Sequence, residues 1–223
     1  MEVASNIRGR HALALVAVIA WLGVLLQLYL SVRLALSNGK SLIDGLVVFF
    51  GYFTVLSNIF VAIASSLPLT FGSSRLGHWF GTGIVLGCAT TAILSVGIGY
   101  HFLLRDLWAP VGLQWVADVI LHYAVPVVLF VYWISFPPKQ TLHVWTPLAW
   151  CIYPVIYCAY ALARGALIGL YPYHFIDVPS LGYSQVLINS FGCLVLFAVL
   201  GSVVYAIARF RNRTPSVPVH ARG

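Results

Sequence analysis

Gly51-Tyr52-Phe53-Thr54-Val55-Leu56-Ser57-Asn58-Ile59-Phe60 lies in the second of six long apolar runs, and its reading decides the fold. Most of it is compatible with hydrocarbon; Thr54, Ser57 and Asn58 are not. At i, i+3 and i+4 they share one face of a helix. Polar groups grouped inside a lipid layer need partners, so this face is expected to look into a protein bundle or a cavity. The working expectation is that the face carries chemistry, with Thr54 as nucleophile and Ser57 and Asn58 in support.

The rest of the chain agrees with a membrane setting. Of 223 residues, 61% are hydrophobic and 8% charged, and the mean hydropathy is +0.96. A soluble domain carries about 25% charged residues. The apolar runs are continuous and long enough to span, whereas a barrel would show short alternating segments. The sequence therefore predicts an all-α polytopic membrane protein, a bundle of six transmembrane helices. The formal charge of +7 does not indicate nucleic acid, because the cations flank the apolar runs rather than forming one basic face. Cys88, Cys151, Cys158 and Cys193 all fall inside spans, with no C-x-x-C pair, and read as buried thiols. The first run is long enough to span and no small-residue cleavage site follows it, so it is expected to stay as a span.

The expected spans are 11–30, 46–67, 79–100, 118–136, 145–167 and 183–208, one domain over 1–208. A basic, Pro-containing tail over 209–223 is expected to be disordered. Gly83 and Gly87 form a G-x-x-x-G that predicts close helix approach in span 3. Asp118, His122 and Pro126 form a stripe on span 4. Tyr153, Tyr157, Tyr160 and Arg164 line one face of span 5, and Gln185 and Asn189 lie at i, i+4 on span 6. No internal repeat suggests an inverted-repeat transporter.

With both termini on one side, that side collects Arg8, Arg10, Arg75, Lys139, Arg209, Arg211, Arg213 and Arg222, against Arg33, Lys40, Arg105 and Arg164. The positive-inside rule then predicts cytoplasmic termini. Thr54 lies roughly 12 Å into span 2 and His122 roughly 6 Å into span 4, both from the outer side. Tyr160, Arg164, Gln185, Asn189, His101, His174 and Asp177 fall in the same half, while the inner half is nearly without ionisable groups. This predicts a pocket open toward the outer side. Pro126 cannot donate to the carbonyl of His122 and should kink the helix there. An ionisable residue inside a span is a functional candidate, and Asp118 one turn away would orient His122. Each residue also has an ordinary reading. Thr54 would bond its own i−4 carbonyl, the tyrosines would pack, and Arg164 would snorkel or pair with Asp177.

Phe53-Thr54-Val55-Leu56-Ser57-Asn58, His122-Tyr123-Ala124-Val125-Pro126 and Tyr171-Pro172-Tyr173 before Asp177 resemble, in that order, the androgen-induced-protein family. That superfamily includes the androgen-dependent regulator of tissue factor pathway inhibitor and many bacterial six-helix proteins, and the likeness is closest to the bacterial branch. The resemblance implies a membrane hydrolase of fatty acid esters of hydroxy fatty acids that uses an intramembrane threonine and histidine. Those roles would fall on Thr54 and His122. Chemically, His122 would take the Thr54 proton as its oxygen attacks an ester carbonyl, with the Asn58 amide as oxyanion donor. The substrate would enter from the bilayer of a cell membrane, its carboxylate meeting Arg164, with Tyr157, Tyr160 and Asn189 along the binding surface.

Two other readings remain open. His101, His122, His174, Asp118 and Asp177 would suit zinc if they converged, though no H-x-x-x-H or H-E-x-x-H spacing is present. A non-catalytic transporter, channel or lipid-binding scaffold is the other reading, and a transporter would need polar groups lining a path through both leaflets. The expectation is no cofactor, no metal and no nucleic-acid partner.

Overall fold

The computed structural model describes residues 7–213. Within them the chain is helical and has no strand, and six helices are long and apolar enough to cross a membrane. The architecture is that of an all-α multi-pass membrane protein. α1 covers Ile7–Ser37, α2 Leu42–Phe49, α3 Phe53–Thr70, α4 Arg75–Phe80 and α5 Gly83–Gly99. α6 covers Leu113–Val119, α7 Val125–Ser135, α8 Thr146–Trp150, α9 Ile152–Ile168 and α10 Val178–Arg213. The last helix runs five residues beyond the expected boundary at 208. The remainder of the expected tail, 214–223, lies outside the described residues.

α1, α3, α5 and α7 surround the main core, in which Leu13, Val61, Ala89, Ile93 and Leu129 are fully buried. α10 packs against α5 and α8, while α9 is the least buried of the six crossings. Trp133 and Trp150 fix this packing by donating their indole N–H groups to Val204 O and Ile84 O, at 3.0 and 2.8 Å. The G-x-x-x-G of α5 does not seat a neighbouring helix backbone as expected. A Cβ on Gly87 would fall 2.4 Å from the Trp150 ring, and one on Gly83 would fall 2.7 Å from Pro138. The small residues accommodate rings instead.

Three departures from regular helix decide where the site forms. First, the expected span 46–67 is two helices. α1 ends in a Schellman turn, with Lys40 N donating to Ala35 O and Gly39 N to Leu36 O. Ser41 and Asp44 then form a capping box that starts α2, and the hydrogen bonds from Ser41 hold the Asp44 carboxyl below its ordinary range. α2 stops at Phe50, and α3 starts afresh after Tyr52. Second, α5 continues into a π turn over Tyr100–Leu104. Third, a π turn over Ile120–Ala124 joins α6 to α7.

The third departure is the structural consequence of Pro126. Val125 N donates to Ile120 O, five residues back, and Pro126 has no N–H. Leu121 O is thereby left without its usual donor, and Asn58 Nδ2 on α3 reaches it at 3.2 Å. The carbonyl of His122, to which Pro126 cannot donate, faces Gly97. A Cβ there would sit 2.9 Å from that oxygen, so α5 closes on the π turn only because residue 97 is glycine.

Candidate functional site

The break before α3 changes the position of Thr54. It is not eight residues into a continuous helix but at the second position of α3. The ordinary fate of an intramembrane hydroxyl, bonding the i−4 carbonyl, is met by Thr90, Thr91 and Ser95. It is closed to Thr54, because Phe50 lies outside α3 and its carbonyl accepts from the Tyr160 hydroxyl at 3.2 Å. Thr54 instead meets Tyr173, whose phenol oxygen accepts from Thr54 N at 3.3 Å and contacts the Thr54 hydroxyl. Tyr173 comes from the loop after α9 and is held between Tyr52 and Phe175. Burial pushes its phenol up, so it remains a proton donor.

His122 sits in the second π turn, its side chain 12% exposed. Nδ1 is aligned on the carbonyl oxygen of Asp118 at 3.0 Å, with Asp118 Oδ1 alongside at 3.2 Å. The expected orienting role of Asp118 is thus exerted mainly by its backbone. Its carboxylate accepts from the Tyr100 hydroxyl at 2.7 Å, and the Tyr100 ring stacks on His122 at 3.8 Å and 16°. With Nδ1 donating to a carbonyl, Nε2 is the acceptor nitrogen of the ring. The two π turns therefore supply the two stacked rings.

Thr54, Asp118, His122, Tyr100 and Tyr173 all line one cavity of about 480 Å³. Its walls come from the C-terminal half of α1, from α2, from the first turn of α3, from the two π turns, from α6 and the loop before it, and from the loop after α9. Asn38, Lys40 and Asp44 stand among the lining residues where α1 turns into α2, and Leu30, Leu34, Val47 and Val48 give it an apolar side.

Several expected members lie elsewhere. Asn58 is fully buried and both amide hydrogens are engaged, by Thr54 O at 2.8 Å and Leu121 O at 3.2 Å. It ties α3 to the π turn and has no hydrogen left for an oxyanion. Ser57 is paired with the Tyr153 hydroxyl at 3.2 Å, away from the cavity. Tyr157, Tyr160 and Arg164 are not among the residues that line this cavity. They take the Gly51, Phe50 and Val47 carbonyls at 3.0, 3.2 and 2.9 Å, capping the C-terminal end of α2. Arg164 also donates to Leu170 O, so it does not pair with Asp177, which accepts from Ser180 at the start of α10. Asn189 donates to Phe175 O and accepts from Gln185. His101 contacts Tyr123 and Arg105, and no three His, Cys, Asp or Glu side chains gather for a metal among the described residues. The zinc reading required that convergence.

Sequence reasoning missed Tyr100 and Tyr173. Tyr173 stood in a quoted motif without a role, and the signal for Tyr100 was its place at the cavity end of span 3, close in depth to Asp118. Comparisons with protein-family models, curated proteins and solved structures found no match for this chain.

Proposed function

We propose that the protein is an intramembrane hydrolase of lipid esters, with Thr54 as nucleophile and His122 as general base. The observation that carries this is the meeting of a helix-start threonine and an acceptor imidazole on one cavity. A helix N-terminus offers unpaired N–H groups and a positive dipole end, which favour charge developing on the attacked carbonyl. Thr54 Oγ1 bonds to the acyl carbon while its proton passes to His122 Nε2. The imidazolium then returns that proton to the departing alkoxide. Water attacks the acyl-threonine with the same nitrogen as base, releasing the acid. Tyr173 replaces Asn58 as candidate oxyanion donor. Lys40 replaces Arg164 as the cation that meets a substrate carboxylate, and the apolar side of the cavity suits an acyl chain.

The cation distribution supports cytoplasmic termini in a cell membrane, placing the cavity on the outer side. Fluorophosphonate labelling of the purified protein tests the nucleophile. Labelling is expected to vanish in Thr54→Ala while the helical signal and melting temperature persist. Undiminished labelling of that variant would sink the assignment.

A further inference from the structure

A second cavity, of about 1000 Å³, lies at the opposite end of the bundle. It is bounded by the start of α1, the end of α3, α4, the start of α5 and the end of α7 with its following loop. The geometry points to this cavity as a binding site for an anionic phospholipid. Arg10, His78 and Lys139 line it, and no carboxylate does among the described residues. The acids described, Asp44, Asp106, Asp118 and Asp177, belong to the other end, so no described carboxylate competes with an incoming phosphate for these cations.

The walls say which anion. Leu69, Leu86, Tyr132, Trp133 and Phe136 give the cavity a deep apolar side, while the cations come from the chain segments at its rim. A soluble anion would need only the rim; an acyl chain below a phosphodiester uses both. Trp79, 57% exposed, lines the cavity, and Phe71, 58% exposed, precedes the lining residue Gly72; exposed rings of this kind suit a membrane interface. The volume matches cavities that take drug-sized or larger ligands rather than a lone phosphate ion. Guanidinium and ammonium groups at a lipid surface attract anionic headgroups, so affinity follows the number of cations kept.

The site is independent of the hydrolase reading, since the two cavities share no residue. Native mass spectrometry of the full chain with phosphatidylglycerol or phosphatidylcholine tests it. Phosphatidylglycerol is expected to be retained at least about tenfold more tightly, and Arg10→Gln with Lys139→Gln to weaken it roughly thirtyfold. Arg10→Lys with Lys139→Arg should restore retention, which separates charge from misfolding. Equal retention of the two lipids, or an unchanged glutamine variant, would overturn the proposal. So would displacement of phosphatidylglycerol by inorganic phosphate alone, which would make the site one for a soluble anion.

Discussion

The two ends of the bundle are built from the same helices and end differently. At the end that carries Arg10, helices finish conventionally, on Phe71 just after Pro68 and on Phe136 before Pro137 and Pro138. There the cavity is lined by glycine-rich loops, cations and apolar walls. At the other end the helices break. α2 stops one turn short of α3, and both long hairpin partners contain π turns. At that end Thr54 is placed by the restart of α3, Tyr100 by the first π turn and His122 by the second. Between the ends, at intermediate heights on four helices, the core is Leu13, Val61, Ala62, Ala89, Ile93 and Leu129. The lesson is that regular helix seals this bundle and irregular helix equips it.

The largest test of that contrast is His122→Ala. Losing the base should cut ester hydrolysis by about 10²–10⁴-fold with the melting temperature little changed. Next is Tyr173→Phe, which removes a hydroxyl and nothing else. A turnover loss of about 10²–10³-fold is expected if the phenol serves the oxyanion. A loss confined to KM would instead make Tyr173 a wall of the cavity. Both measurements are steady-state kinetics on a lipid ester in detergent or nanodiscs.

Much of this was legible beforehand, and the remainder has identifiable causes. Hydropathy carries six crossings because hydrocarbon admits little else. Depth along the helices brought Thr54 and His122 together because antiparallel topology fixes which ends adjoin. The break before α3 was hidden because Val47 to Phe53 is as apolar as a span; its signs were Ser41-x-x-Asp44 and Gly51, which only the carbonyl partners on α9 turn into a stop. A π turn leaves no change of hydrophobic period, so its effect on Leu121 O, and hence the work of Asn58, follows only from seeing α3 and α7 together. The polar stripe of α9 was legible, and in the structure it bonds the carbonyls at the end of α2. Tyrosines and an arginine suit a substrate surface and a helix cap equally well until the acceptors are known.

Asn58 tests the broken end for stability rather than rate. Asn58→Leu leaves Leu121 O without a donor, at about 1–3 kcal/mol, but also removes the buried Oδ1 that has no partner, offsetting part of it. Asn58→Asp should be worse, because a carboxylate would face two carbonyl oxygens. Thermal unfolding in detergent should therefore rank wild type above Asn58→Leu above Asn58→Asp. The reverse order of the two variants would mean that the amide presents its oxygen to α7, and the π turn would need another donor.

Ser57→Ala is the smallest effect and the sharpest check on where the site ends. Ser57 shares a helical face with Thr54 by sequence, yet its hydroxyl is fully buried against Tyr153, whose ring also packs on Phe53 and Phe60. Removing one neutral hydroxyl pair costs about 0.5–1.5 kcal/mol. The aromatic packing stays, so the value should sit at the lower end. Because Ser57 does not line the Thr54 cavity, labelling by fluorophosphonate should proceed at the wild-type rate while the melting temperature falls slightly. A labelling defect without loss of stability would show that the reactive face of α3 continues past the first turn, toward α9. The helix start would then no longer be what distinguishes Thr54 from the other buried hydroxyls of the bundle.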